Sequence, residues 1–412
     1  MNKQVMIVGG GASGLAAAVA AARAGAKVTI LERLPRVGKK ILLTGNGRCN
    51  LGNRQQDDSH YHGTLPQAKH ILQQFDTEEF FHQLGLFTRT DSEGRMYPCS
   101  NAAASVLDAL RMECDRLSVS IRTEEQVTDL QQMDGRWQIT TKNAKYHADA
   151  VVLATGGSAA PACGTDGNLL PLLKRMGYTI LQPMPALCPI PSDAQMLKPL
   201  KGIRVRATVT ALIDGNPRKT EVGEVQFTET ALSGICLFNL SRLAAVYGNR
   251  MNISLCLLPE ELSGQQEQLM DTLLQTRGDV SCADLLTGLL PKRVAEVLVK
   301  QALGKTNGSA REILNTPEAK SKLMRILSDW QFPVTGTATF AQAQVTAGGI
   351  SGQCVTQALM SKKHAGLYFC GELLDIDGDC GGYNLDWAWA SGACAGRHAA
   401  SDFSLARSIV QR

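Results

Sequence analysis

Three glycines spaced as Gly9-x-Gly11-x-x-Gly14, with Glu32 further along, form the first feature of this chain able to do chemistry. Gly9 permits a tight turn. Gly11 lets backbone approach a pyrophosphate at the positive end of a helix, and Gly14 lets that helix pack closely on a strand. Glu32 can accept hydrogen bonds from a ribose diol. Alone the motif is weak, and a glycine turn that binds nothing is its alternative. Its surroundings give it meaning. Gln4-Val5-Met6-Ile7-Val8 reads as a buried strand, Ser13 to Gly25 as an alanine-rich helix, and Lys27 to Glu32 as a second strand. Strand, turn, helix, strand predicts a bound dinucleotide.

Three distant segments favour FAD over NAD as that dinucleotide. Gly38-Lys39-Lys40 and Thr44-Gly45-Asn46-Gly47-Arg48-Cys49-Asn50 make a loop dense in small residues, amides and cations just after the second strand. Such a loop can lie over a pyrophosphate and a flavin, offering backbone N–H groups and Arg48. Its alternative is a solvated turn. Ala154-Thr155-Gly156-Gly157 ends a buried strand and can bring backbone to the cofactor. Gly371-Glu372 is followed by Gly381-Gly382-Tyr383-Asn384 and a long helix. Glu372 can bind ribityl hydroxyls. A helix starting near Asn384 would aim its positive end at the flavin N1/C2 carbonyl, with Asn384 as its cap. Asp375, Asp377 and Asp379 alternate like calcium ligands, but the closing Glu of such a loop is missing, so no metal site is expected.

These segments need a scaffold. The chain is expected to be α/β, with a Rossmann-type FAD-binding domain built from both chain ends. Residues 1–190 and 335–412 would form that domain, 191–258 a β-rich, barrel-like insert and 259–334 a helical insert. Residues 65–85 and 101–117 read as helical, and Ile121 to Leu130 and Trp137 to Thr141 as strands. Residues 203–213, 219–228 and 251–257 read as strands of the insert. The helix after Glu372 is expected over Leu385 to Ala399.

Composition narrows the class. A chain of 412 residues, 44% hydrophobic and 19% charged, can bury a large core. A net charge of +4 is too weak, without a Lys/Arg cluster, to argue for nucleic acid. The twelve cysteines form no C-x-x-C pair, which removes the usual dithiol and Cys-zinc signatures. No apolar run reaches the roughly 18–20 residues needed to span a bilayer. A cytoplasmic location with reduced thiols and no membrane insertion is expected.

Gly38 to Asn50, Gly94-Arg95-Met96-Tyr97-Pro98, Ala154 to Gly167, Val345-Thr346-Ala347-Gly348-Gly349 and Gly366 to Gly396 together resemble the BaiN-type NAD(P)/FAD-dependent oxidoreductases. That family is named for a bile-acid-pathway reductase. The resemblance covers essentially the whole chain, including Phe227-Thr228-Glu229 and Ser233-Gly234 in the insert. It implies FAD contacts at Ala12, Ser13, Glu32, Arg33, Gly47, Arg48, Cys49, Val127, Thr155, Glu372, Tyr383 and Asn384. Relatives of the insert motif usually read Ser-Gly-Pro. Ser233-Gly234-Ile235 lacks that proline, which puts the local turn in question.

The resemblance implies an NAD(P)H-driven reductase of an activated C=C bond, passing hydride from flavin N5 to an enone, with 3-oxo-Δ4 steroids or bile-acid intermediates as the first class. NAD(P)H would be a transient donor, since no second complete GxGxxG exists and Gly304 to Gly308 reads as a loop. Tyr383, Arg48 and Tyr97 are the candidate proton donors, because they lie in motifs expected near the flavin. Each also has a plainer role: a ring edge, a phosphate contact, a packing residue. His60, His62, His70 and His82 have no ligand spacing and read as solvated surface. Two rivals remain open. One is a flavin-dependent RNA-modifying enzyme, to which the basic stretch Lys198 to Arg206 lends modest support. The other is a non-catalytic FAD-binding or sensor protein.

Overall fold

The computed structural model describes residues 2–262, 264–304 and 307–401. Its contacts divide the chain into two units. One runs up to Met184 and resumes at Gln344; the other is Pro185–Ala343.

The first unit is a Rossmann fold drawn from both chain ends. Strand β1 (Gln4–Val8), helix α1 (Ala12–Arg23) and strand β2 (Lys27–Leu31) follow the glycine motif as its spacing demands. The sheet has five parallel strands in the order Leu367–Phe369, Ala150–Leu153, β1, β2, Ser120–Arg122. Parallel strands covered on both faces read as unbroken apolar runs, which is why Val5 to Val8 and Ala150 to Leu153 lack alternation.

Helix α1 is buried from Ser13 to Ala21 rather than along one stripe. The cause is a second helix, Tyr383–Ala400, that crosses it at very short range. A Cβ on Gly392 would sit 2.3 Å from the Ser13 carbonyl oxygen. Only small residues allow two helix backbones to approach this closely. The alanines of α1 therefore serve packing as much as helix propensity.

Elsewhere the unit departs from the expected elements. Residues 65–85 form two short helices, Ala68–Gln73 and Thr77–His82, because Asp76 caps the second by accepting from Glu79 N at 3.0 Å. Ile121 to Leu130 is not one strand. Ser120–Arg122 joins the parallel sheet, and Val127–Met133 belongs to a separate antiparallel sheet with Arg136–Thr141 and Lys145–Ala148.

The second unit carries an open antiparallel half-barrel sheet of six strands. Their order is Ile190–Pro191, Ala231–Ser233, Asn216–Phe227, Arg204–Ile213, Met251–Cys256, Trp330–Pro333. The last strand follows the helices Gln266–Arg277, Lys292–Leu303 and Pro317–Ser328 in sequence, so the β and helical segments share one sheet. Phe227, Trp330 and Phe332 form its aromatic centre, with ring centroids 4.8–6.0 Å apart. A helix, Ile235–Tyr247, lies within the stretch read as β-rich, between two of its expected strands. Its apolar run Ile235-Cys236-Leu237-Phe238 mimics a strand when read without tertiary context. The missing proline of the Ser-Gly-Pro motif is also explained. Ile235 occupies the first helical position, where proline is favoured but not required. Gly234 still makes the turn, since a Cβ there would lie 2.1 Å from the Glu224 carbonyl oxygen. Gly304 closes the helix Lys292–Leu303; residues 305 and 306 of the expected Gly304–Gly308 loop lie outside the described residues.

Among the described residues, no helix is long and apolar enough to cross a membrane.

Candidate active site

The glycine motif forms the first wall. Ala154 N donates to Val8 O at 2.8 Å, which brings Ala154-Thr155-Gly156 alongside Gly9. A Cβ on Gly14 would lie 1.9 Å from Gly9 O, so helix and strand touch through bare backbone. Gly11 is the N-cap of α1 and no side chain caps it. A Cβ at Gly11 would meet no atom within 4 Å. The N–H groups of Ala12, Ser13 and Gly14 belong to a first turn, where no intrahelical acceptor exists. Open space, free donors and the helix dipole together suit a pyrophosphate.

Glu32 directly follows β2, with 9% of its surface exposed. One carboxylate oxygen accepts from Gly10 N and the other from Leu34 N, both at 2.8 Å. Each oxygen keeps a lone pair for a ribose hydroxyl. Arg33 donates through one terminal nitrogen to both oxygens of Asp166 at 2.9 Å, while its buried Nε has no partner. Lys39 Nζ donates to Ala162 O at 2.6 Å. Val127, buried at the start of its strand, lies just beyond Glu125, whose N–H donates to Glu32 O at 2.9 Å.

The loop after β2 winds into a short 3-10 segment, Ile41–Gly47, broken by left-handed Gly45 and Asn46. Cys49 is buried and also left-handed, and burial pushes its thiol up to about 12. It is therefore no nucleophile. A Cβ at Gly47 would meet nothing within 4 Å, whereas one at Gly45 would press on Asn50 N at 3.0 Å. Arg48 lies 4.9 Å from the Tyr97 ring centroid, and Arg89 lies 5.4 Å from it. Tyr97 itself is buried. The Asn50 side-chain oxygen is buried without a hydrogen-bond partner.

Glu372 gathers the third wall. It pairs with Lys40 Nζ and accepts from Thr346 N, each at 2.8 Å. The Thr346 hydroxyl in turn accepts from Ser158 N at 2.7 Å and Ala159 N at 2.9 Å, pinning the turn after Gly157. Gly371 packs against Ser13, whose hydroxyl would lie 2.5 Å from an added Cβ. Sequence reasoning missed Lys40 and Thr346 as positioning residues, although both sit in motifs it quoted.

The cap of the helix Tyr383–Ala400 needs correcting. Its N-cap is Gly382 (φ +106°), not Asn384. A Cβ at Gly382 would strike Gly52 O at 2.5 Å and Asn50 Oδ1 at 2.6 Å. Asn384 is the helix's second residue, and its amide is spent on Gly378: Oδ1 accepts from Gly378 N at 2.8 Å and Nδ2 donates to Gly378 O at 2.7 Å. No side chain caps this helix, so its positive end stays open beside the orphaned Asn50 oxygen.

Tyr383 is buried, and its ring stacks on His60 with centroids 4.4 Å apart and planes 17° from parallel. Burial first, then Asp379, Asp57 and Asp386, push its phenol up to about 12. The reading of His60 and His62 as unpartnered surface is overturned. Both imidazoles reach the buried Asp379 carboxylate, at 3.2 and 3.0 Å. Asp379 is therefore turned toward the two histidines, and among the described residues no group of three or more His, Cys, Asp or Glu is arranged to hold a metal ion.

Buried polar atoms without partners at Arg33 and Asn50, open space at Gly11 and two uncapped helix starts all fit FAD. Ser13 packs on Gly392, ten residues along the helix from Gly382. At 1.5 Å per residue the two helix starts are offset by roughly 15 Å along that axis.

Against known proteins, residues 3–398 match the model of the HI0933-like protein Rossmann domain family. The 3-dehydro-bile acid delta(4,6)-reductase of Clostridium scindens is 40% identical over 410 residues, covering 97% of this chain and 99% of that protein. The ribosomal RNA dihydrouridine synthase of Haemophilus influenzae is 27% identical over 408 residues, covering 95% and 97%. Among solved structures, the open conformation of a flavocytochrome c3 fumarate reductase aligns at 17% identity and a TM-score of 0.45, over 97% of this chain and 78% of that one. With a family match across nearly all its length, the chain belongs to the HI0933-like Rossmann family and is a flavoprotein oxidoreductase.

Proposed function

We propose that this chain uses FAD to reduce a C=C bond conjugated to a carbonyl, with NAD(P)H as transient electron donor and a 3-oxo-Δ4 steroid or bile-acid intermediate as substrate. The observation that carries the substrate class is the 40% identity, over nearly the full length of both chains, to a 3-dehydro-bile acid delta(4,6)-reductase. Two uncapped helix starts in one unit support the cofactor. When bound, FAD supplies hydride at N5 to the β-carbon of the conjugated system.

The chain's own groups would hold it as follows. Gly9, Gly11, Ala12, Ser13 and Gly14 present backbone to the pyrophosphate. Glu32 takes the ribose diol, and Arg33 and Val127 border the adenosine end. Lys39, Asn46, Gly47, Arg48, Cys49 and Asn50 cover the flavin side. Ala154, Thr155 and Gly156 line the floor, with Gly371 and Glu372 beside the ribityl chain. Gly382, Tyr383 and Asn384 bring the second helix start to the flavin carbonyl edge. Arg48 and Tyr97 engage each other and Tyr383 engages His60, so each candidate donor already has a stacking partner.

A Glu32→Ala variant removes the acceptor of both Gly10 N and Leu34 N. Leaving two such donors bare costs about 1–3 kcal/mol apiece where they stay buried. FAD retention after dialysis is expected to fall at least tenfold, read from the flavin absorbance per protein. Full retention would remove Glu32 from the ribose site.

One observation favours a second reading, the likeness to ribosomal RNA dihydrouridine synthase. Dihydrouridine is uridine with its C5=C6 bond reduced, and that bond is conjugated to the C4 carbonyl. The chemistry is the same and only the substrate's carrier differs. The basic stretch that lent this reading modest support is partly neutralised: Lys201 pairs with Glu229 and Arg204 with Glu224. An anaerobic assay separates the readings. Enzyme reduced by NADH or NADPH is mixed with a 3-oxo-Δ4 steroid, a simple enone or ribosomal RNA. Reoxidation by the steroid supports the proposal, reoxidation by RNA alone supports the second reading, and reoxidation by none leaves a binding protein.

A further inference from the structure

The helix start at Gly382 has a neighbour that none of the functional motifs contains. Strand Tyr61–Gly63 pairs antiparallel with Ile376–Gly378, placing His62 opposite Asp377 and Tyr61 opposite Gly378. Asp379 N donates to His60 O at 2.9 Å, which fixes the next residue of each strand against the other. The Asp379 side chain is 7% exposed, while those of His60 and His62 are 32% and 29% exposed. A carboxylate only accepts, so His60 donates from Nδ1 and His62 from Nε2.

This leaves the Nε2 of His60 as its working nitrogen. The ring is held by Asp379 on one edge and by the flat face of Tyr383. An imidazole oriented through Nδ1 by a buried carboxylate, on a side chain still 32% exposed, is the arrangement of a general acid–base. Strand pairing by itself does not require it: backbone bonds already hold these two strands together. The placement is also specific. Tyr383, on which His60 stacks, is the first residue of the helix whose uncapped start faces the orphaned Asn50 oxygen.

We propose that His60 is the proton donor of the C=C reduction and that Asp379 is its positioning residue. This rests on the proposed function above. Hydride reaching the β-carbon brings two electrons, and the π pair moves onto the α-carbon and carbonyl as an enolate. The α-carbon then takes H⁺ from His60 Nε2, leaving neutral imidazole. Solvent restores that proton through the ring's exposed edge, and NAD(P)H returns the flavin to its reduced form. Tyr383 with its raised phenol is the weaker acid, and Asp386 is buried beneath the helix start.

His60 must carry its proton for the step, so more alkaline solution slows turnover. The charged and titratable groups around it are Asp57, Asp377, Asp379 and Asp386, with His62, Tyr61 and Tyr383.

The test uses FAD-loaded enzyme and the variant His60→Asn, whose amide can replace Nδ1 toward Asp379 but offers nothing at the Nε2 position. Reoxidation of reduced enzyme by enone is expected to slow about 100-fold, within the usual range for losing a general acid. The fall in rate at alkaline pH is expected to vanish, and added imidazole to restore part of the rate. FAD content and a dithionite titration report whether the flavin site is intact; should His60→Asn lose FAD, His60→Gln takes its place. A readout independent of turnover is nitrogen NMR of ¹⁵N-histidine-labelled holoenzyme, where neutral His60 is expected as the Nδ1–H tautomer. An Nε2–H tautomer, or a variant that keeps wild-type rate and pH profile, overturns the assignment while leaving the reductase reading intact. Wild-type enzyme that no enone reoxidises overturns both.

Discussion

Gly14→Ala is expected to purify with less than a tenth of the wild-type FAD and to melt well below wild-type protein. The added Cβ would sit 1.9 Å from Gly9 O, 3.0 Å from the carbon of that carbonyl and 3.3 Å from the Ala154 Cβ. The closest of these contacts is with backbone, so no rotamer change relieves it. Helix α1 must lift from β1, which carries the free N–H groups of its first turn away from the pyrophosphate site. Lifting also drives Ser13 toward Gly392, where there is no room either. Overpacking of this kind costs about 1–3 kcal/mol, and more where two backbones are forced apart. The comparison is flavin absorbance per protein after gel filtration, and melting with and without excess FAD. A variant that holds FAD in full would show that the close α1–β1 approach is not what makes the site.

Asp386→Asn is expected to gain stability over wild type as pH rises from about 4 to above 6. Asp386 is buried in the first turn of Tyr383–Ala400, hydrogen-bonded to the Thr77 hydroxyl and to Gln56 Nε2. The Tyr61 hydroxyl is close enough to bear on its charge but is left without a hydrogen-bond partner. Burial pushes the carboxyl up from 3.8 to about 6; Thr77 and Gln56 offset part of the shift, and Asp76 adds to it. The sign follows from linkage. Between those two values the folded protein keeps a proton that the unfolded chain has released. The protonated group's contribution is therefore complete below the unfolded value and is lost as pH rises through about 6. At one pKa unit to 1.36 kcal/mol, the ionised form costs about 3 kcal/mol at neutral pH. Asparagine does not titrate and has an amide to offer Tyr61. Urea denaturation at pH 4.5 and 7.5 reads the difference, and equal pH slopes in the two proteins would mean that Asp386 does not ionise in the folded state.

These two sites mark what sequence could and could not disclose. The turn at Gly9 and Gly14 was legible because its requirements are local: glycine at fixed spacing between an apolar run and an alanine-rich one. The same locality revealed the buried strand that ends at Ala154 and the loop around Thr44 to Asn50. The environment of Asp386 was not legible, since Thr77, Gln56 and Tyr61 reach it from distant segments. His60 and His62 read as surface for the same reason. Their partner, Asp379, comes from the far end of the chain and was weighed only as a calcium ligand, a reading that the missing Glu ruled out. Asn384 was assigned a capping role because asparagine favours caps. Tertiary contact overrode that preference, since only glycine fits where position 382 meets Gly52 and Asn50. Ile235–Tyr247 was missed because a helix packed on a sheet can be as apolar at its start as a strand.

The central claim, flavin-dependent reduction of a conjugated C=C bond, is tested most directly in a single anaerobic turnover. Enzyme reduced photochemically, so that no NAD(P)H is present, is mixed with one equivalent of a 3-oxo-Δ4 steroid in a stopped-flow spectrometer. The expected result is return of the oxidised flavin spectrum together with loss of enone absorbance, one equivalent of each, and a saturated ketone as product. Flavin that stays reduced no less long than in buffer alone, with the steroid recovered unchanged, would contradict it.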